Sequence, residues 1–216
     1  DPVLCELMYS WFCPAGGYVL DPFAGGSVRG VVSSYLGLHY LGIDLSEQQI
    51  EANREQASQM VPGNVPLWLV GDSRGLVPNL GTEFDMVFSC PPYFDLEVYS
   101  YDKRDLSSMV WSQFVAAYRE IIAACVRQLR QNRFAVFIIS DIRDEKGFYR
   151  KLPGVTISAF EDAGAILYND AILITAVGSL PIRVGQHFGI YRKMGKGHQN
   201  VLVFFKGDPR YIPEVL

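Results

Sequence analysis

No apolar run approaches the roughly 20 residues that a membrane-spanning helix requires; stretches such as Phe134 to Ile139 and Ile172 to Val177 are far shorter. The chain does not open on a basic stretch followed by an apolar one, so neither a secretory signal nor a membrane anchor is expected. Cysteine is scarce, and Cys5, Cys13, Cys90 and Cys125 form no C-x-x-C pair. This excludes the common zinc sites and a small disulfide scaffold, and it suits a reducing cytoplasm. Positive charge is also short. A net charge of −4 argues against a surface that is basic throughout, while leaving room for one local patch. Internal repeats, low-complexity tracts and linkers are lacking too.

What is present is a chain able to bury a core. With 49% hydrophobic and 19% charged residues it is too apolar for a disordered tail and too mixed for a fibrous protein. Its 216 residues, set against roughly 150 per domain, predict one domain spanning residues 1–216. The first residue is Asp rather than Met, so a piece of a longer chain is also expected, with any fused or separate recognition or nuclease partner lying outside it.

Gly17-Tyr-Val-Leu-Asp-Pro-Phe23 reads as a strand stopped by proline, opening through Ala24-Gly-Gly-Ser27 onto a helix that Gly37 closes. His39 to Leu45 predicts a second strand, and Ser46 with Gln49 forms a capping box for the helix that follows. Leu67 to Val70 and Phe84 to Phe88 predict strands three and four. A helix is predicted over Trp111 to Leu129, a fifth strand over Phe134 to Ile139 and a further helix over Val155 to Ala163. Strands separated by helices imply a parallel sheet covered on both faces. Ile172 to Val177 and Asn200 to Phe205, joined by a long loop without a clear helix, predict an antiparallel pair at the end of that sheet.

Ligands of an open parallel sheet bind beyond the carboxyl ends of its strands. Here three successive strands end in acids: Asp21, Asp44 and Asp72. An acid after the second strand is a usual holder of ribose hydroxyls, yet the turn lacks the full G-x-G-x-x-G of a pyrophosphate cradle. Acids beside the first turn repel phosphate and attract an ammonium group. The pattern points to a nucleoside ligand with a cationic amino-acid end.

Asp21-Pro-Phe-Ala-Gly-Gly-Ser27, Gly42-Ile-Asp-Leu45, Gly71-Asp-Ser73 and Ser89-Cys-Pro-Pro-Tyr93, in this order, resemble the motifs of S-adenosylmethionine-dependent DNA amino-methyltransferases, which act on adenine N6 or cytosine N4. The resemblance runs from about Tyr18 to the strand holding Phe204. It implies a Rossmann-like class I methyltransferase sheet of the α/β class, mostly parallel with an antiparallel C-terminal pair. It further implies a bacterial or phage-type cytoplasm, S-adenosylmethionine as cofactor with S-adenosylhomocysteine as product, and DNA with a flipped-out base as substrate. By the same resemblance, Asp21 accepts from the amino group of the methionine portion, which Pro22, Phe23, Ala24, Gly25, Gly26 and Ser27 receive. Asp44 then binds the ribose, Leu45 packs on the adenine ring, and Asp72 with Ser73 meets the adenine amino group.

Pro91 and Pro92 end the fourth strand, because proline cannot continue a central one, and form a rigid corner with exposed carbonyls. Such a carbonyl can accept from a target amine and orient its lone pair, while Tyr93 offers an aromatic face to an extruded base. The family usually carries Asp, Asn or Ser before Pro-Pro; here the position is Cys90. Three readings stay open: the Pro91 carbonyl does most of the amine recognition, Cys90 is a nucleophile on pyrimidine carbon 5, or the site is an inactive cofactor-binding or DNA-binding module. RNA and protein glutamine are alternative acceptors. Cys5, Cys13 and Cys125 read as core residues.

Between Ser179 and Gln199 lie Arg183, Arg192, Lys193 and Lys196, with His187, His198, Phe188 and Tyr191 and no acid. This predicts a mobile loop that orders on DNA phosphates. His187 and His198 are too far apart, and too poor in carboxylate company, to suggest a metal. The mixed-charge loop Phe94 to Met109 suits a lid over the flipped base. No segment is long enough for a separate target-recognition domain.

Overall fold

The computed structural model describes residues 1–94, 102–174, 178 and 180–215. Its centre is a seven-stranded sheet in the order β3-β2-β1-β4-β5-β7-β6. The strands are β1 (Tyr18–Asp21), β2 (His39–Asp44), β3 (Leu67–Val70), β4 (Phe84–Ser89), β5 (Leu129–Ile139), β6 (Ile166–Ile174) and β7 (His198–Lys206). The first five run parallel, and β7 lies antiparallel between β5 and β6. The expected α/β sheet with its antiparallel C-terminal pair is therefore present.

Side chains alternate between the faces of a strand, and both faces here are covered. Val19, Met86, Phe88, Phe134 and Val136 point into one apolar cluster, packed by helices α1 (Pro2–Phe12), α2 (Val28–Tyr35) and α3 (Glu47–Met60). Leu20, Val87, Ala135 and Phe137 point into the other, packed by α5 (Trp111–Gln128) and α6 (Leu152–Asp162), with the single turn α4 (Ser73–Leu76) leading into this side. On α5 the buried Phe114, Ala117, Tyr118, Ile121, Ile122 and Cys125 recur at the spacing of one helical face. Ser46 caps α3 through Gln49 N–H at 3.2 Å, and Gly37 follows α2 with φ of +76°, as its cap position requires. No helix among the described residues is long and apolar enough to cross a membrane.

Four elements depart from expectation. Strand β5 begins at Leu129, five residues before the expected Phe134, and takes Leu129 from the expected helix. Helix α1 was not anticipated, although Asp1 caps it and Cys5, Met8 and Tyr9 are buried at helical spacing. Strand β6 begins at Ile166, earlier than expected, because a register shift between Leu167 and Asn169 lets weak strand formers continue the pairing; residues 175–177 of the expected strand lie outside the described ones. The basic segment is not a loop throughout: it contains α7 (Leu180–Tyr191). Its Gly185 and Gly189 lower intrinsic helix preference, while Pro181 sits in the first turn, where its missing N–H costs nothing. A short α8 (Ile212–Val215) ends the described chain.

Asp85, buried at the start of β4, accepts from Tyr18 N–H at 3.0 Å, Arg130 at 2.8 Å and Arg133 at 3.1 Å. Burial pushes its pKa up, but the Tyr18 amide and the two arginines outweigh burial and hold it below the usual carboxylate value. A depressed folded pKa gives stability that is present above the unfolded value of about 3.9 and lost as pH falls through the folded one. Asp85→Asn is expected to cost roughly 1–2 kcal/mol near neutrality and to flatten the acid limb of stability against pH. Urea titrations at several pH values measure both.

Candidate functional site

Register brings the strand ends together. Asp21 pairs with Gly42 of β2, Asp44 with Val70 of β3, and Leu20 with Val87 of β4. The segments after β1 to β4 therefore emerge on one rim and enclose a cleft of about 530 Å³. Pro22 to Gly26, Asp44 to Ser46, Gly71 to Ser73 and Cys90 to Tyr93 line it, joined by Arg29 and by Arg104 to Leu106.

The glycine turn is held from three sides. Gly25, at φ of +50°, donates its N–H to Asp44 Oδ2 at 2.8 Å and accepts from Asn53 Nδ2 of α3 at 2.7 Å. Arg29 Nη2 donates to the Phe23 and Ala24 carbonyls at 2.7 and 2.9 Å. A Cβ built on Gly25 or Gly26 would meet nothing within 4 Å, so the turn faces open space. Asp44 Oδ1 accepts from Ser46 N–H at 2.9 Å. Each oxygen of Asp44 is thus engaged once, and a carboxylate oxygen has a second acceptor site. Leu45 lines the same wall.

Asp21 is placed differently from its expected role. It is fully buried and is not among the residues lining the cleft. Its oxygens accept from Arg29 Nε at 2.5 Å, Ser89 Oγ at 2.6 Å, Tyr40 OH at 2.7 Å and Phe23 N–H at 3.2 Å. Four donors fill a carboxylate, leaving no acceptor for a ligand ammonium. Asp21 instead anchors the turn from beneath. Burial pulls the Arg29 pKa down, but the charge of Asp21, Tyr40 and the hydrogen bond to Asp21 outweigh it and hold the guanidinium above its ordinary value. Burial, then the Asp21 charge, drives the Tyr40 phenol well up. Arg29, which lines the cleft, was not found by reading the sequence.

Two serines are also committed elsewhere. Ser27 Oγ donates to Gln56 Oε1 at 2.5 Å, away from the cleft, and Ser73 Oγ donates to the Pro22 carbonyl at 2.7 Å, tying the end of β3 to that of β1. Asp72 reaches the cleft but is paired with Arg74 through Oδ2 at 2.7 Å.

At the fourth strand end, Ser89 turns its hydroxyl to Asp21, so Cys90 is the residue that lines the cleft ahead of Pro91 and Pro92. Burial pushes the Cys90 thiol above its usual pKa, with Arg29 and a hydrogen bond to Tyr93 pulling it only part of the way back. A protonated thiol is a poor nucleophile. Tyr93 lines the cleft, packs on the α5 side of the core, and its hydroxyl accepts from Gln199 Nε2 of β7. Gln199 carried no signal in the sequence. Cys5, Cys13 and Cys125 are buried as expected, and burial lifts the Cys13 thiol to about 12.

Among the expected DNA-contacting residues, the side chain of Arg183 lies outside the described ones. Arg192, at φ of +54°, covers the Phe188 ring at 5.5 Å, and Lys193 covers that of Tyr191 at 5.3 Å. Lys196 is 3.4 Å from Asn200 Oδ1, and His198 opens β7. In the expected lid, residues 95–101 lie outside the described ones. Arg104, paired with Asp102 at 2.6 Å, begins the stretch through Leu106 that closes one side of the cleft.

No family model matches the sequence, and neither does any curated protein. Solved structures do match. TrmN from Thermus thermophilus superposes with a TM-score of 0.63 at 16% identity over 95% of this chain and 48% of its own. A TehB-like SAM-dependent methyltransferase from Corynebacterium glutamicum gives 0.54 at 18% over 94% and 86%. Magnesium protoporphyrin IX methyltransferase from Synechocystis, with bound SAM, gives 0.58 at 11% over 95% and 79%. The fold is that of the Rossmann-like class I methyltransferases. This chain spans about half the length of the Thermus protein.

Proposed function

We propose that this chain transfers a methyl group from S-adenosylmethionine to an exocyclic amino group of a DNA base, adenine N6 or cytosine N4. The observation that carries the reading is that Asp44, at the end of β2, and Pro91, just beyond β4, line one cleft. A nucleoside holder and a stiff corner for an amine thus share a single space.

The residues fit the cofactor. The open face of Gly25 and Gly26 accommodates the amino-acid end, the remaining acceptor sites of Asp44 suit ribose hydroxyls, and Leu45 offers an apolar surface to the adenine. When bound, S-adenosylmethionine supplies an electrophilic methyl carbon. The Pro91 carbonyl accepts one N–H of the target amine and orients its lone pair, so that positioning provides much of the rate. Tyr93 presents its ring to the extruded base, and Gln199 fixes the hydroxyl end of that ring. Cys90 lines the corner, and burial, which raises its pKa, disfavours the thiolate that carbon-5 methylation would need, which favours the amine reading. In this reading Arg192, Lys193, Lys196 and His198 supply positive charge to backbone phosphates.

Transfer of labelled methyl groups from the cofactor to DNA, RNA or protein tests the acceptor, and mass spectrometry of the product nucleosides identifies the base. Label appearing only in RNA or protein overturns the DNA reading. Tyr93→Ala is expected to weaken binding of DNA carrying an unpaired target base by roughly 1–3 kcal/mol, the value of one base-aromatic stack, while cofactor affinity measured by calorimetry stays unchanged.

A further inference from the structure

We infer that the loop between β5 and α6, residues 140–151, forms the second half of a duplex-DNA surface together with the connection from α7 to β7. This rests on the DNA methylation reading and extends it to a segment outside the resemblance motifs.

The two segments leave the same rim, because Ile139 at the end of β5 pairs with Asn200 near the start of β7. They also touch. Gly147 has φ of +89°, and a Cβ there would fall 2.5 Å from Lys193 Nζ, so the lysine chain lies directly across this glycine. The loop is built rather than loose. Asp141 Oδ1 accepts from Ile142 and Leu152 N–H at 2.9 and 3.1 Å, and Asp144 Oδ1 accepts from Phe148 N–H at 2.8 Å. Arg143 donates to the Gly147 carbonyl at 2.8 Å and lies 4.0 Å over the Tyr149 ring.

Two of the loop's three acids thereby accept from backbone N–H groups, leaving Glu145 against the exposed Lys146 and Lys151. Phe148 is 70% exposed beside them. Exposed lysines beside an exposed apolar ring suit a duplex phosphate backbone, with the Phe148 ring free to pack against the groove edge. The location suits it as well, since Gln199 at the base of this surface holds Tyr93 in the cleft. A strand tracked across the two segments would reach the diproline corner without any separate recognition domain.

The test is anisotropy of a labelled duplex across a salt series, using the whole chain, Lys146→Gln/Lys151→Gln and Phe148→Ser. These side chains are exposed, and unchanged thermal melting and cofactor affinity verify that the variants fold. The slope of log K against log salt is expected to fall by about one per lysine removed from phosphate contact, and Phe148→Ser to weaken binding severalfold with its slope kept. Slopes and affinities superimposing on those of the unaltered chain, while that chain still methylates DNA, overturn this inference and leave the proposed function standing. A chain that methylates RNA or protein and does not bind the duplex overturns both.

Discussion

Replacing Arg29 by methionine is expected to lower the folding free energy by about 3–5 kcal/mol, the usual cost of leaving a buried charge without its partner. Asp21 is wholly inside, and among the described residues Arg29 is the cation that reaches it, at 2.5 Å. Tyr40 and Ser89 still donate in the variant, but neutral hydroxyls do not replace a charge. The same guanidinium holds the Phe23 and Ala24 carbonyls, so the glycine turn loosens and cofactor affinity falls with stability. Denaturant titrations measure the deficit. Adding Asp21→Asn should recover part of the loss, since removing both charges costs less than removing one. A deficit under 1 kcal/mol, or one that Asp21→Asn does not reduce, would refute the role of the pair.

Asp21 also shows why some of the site was legible in the sequence and some was not. Gly, Pro and Asp at strand ends announce where chain direction changes and where ligands gather, so Asp44, Gly25, Cys90 and Pro91 were found on one rim as expected. The same signals do not say which way a side chain turns. An acid that binds ligand and an acid that ties down a turn look identical until the partner is known, and the partner of Asp21 sits on the following helix in a position that no spacing rule marks. Gln199 is further removed still, 106 residues from Tyr93, and only the antiparallel placement of β7 beside β5 brings them together. Helix α7 was hidden by its glycines, and β6 by Asn169 and Asp170, residues that strands rarely favour. In each case tertiary context overrode the local preference.

Asp44→Ala is expected to reduce affinity for S-adenosylmethionine and S-adenosylhomocysteine by at least about 3 kcal/mol, more than a hundredfold, since two hydroxyl hydrogen bonds to a charged acceptor contribute roughly 1.5–3 kcal/mol each. Part of the loss will be indirect, because Gly25 N–H loses its acceptor at 2.8 Å and the turn relaxes. Ligand variation separates the two contributions. Against 2′-deoxy and 3′-deoxy analogues, the unaltered chain should discriminate strongly and Asp44→Ala hardly at all, whereas a purely structural role would leave the discrimination intact in both. Asp44→Asn keeps an acceptor for Gly25 and should fall between them. Calorimetry with the four ligands reads these values directly, and equal affinity of Asp44→Ala and the unaltered chain for the parent ligand would remove Asp44 from the binding site. The consequence extends to the corner at Pro91: if the nucleoside is not held at the end of β2, no methyl donor is fixed opposite the diproline carbonyl, and the shared cleft ceases to support amine methylation.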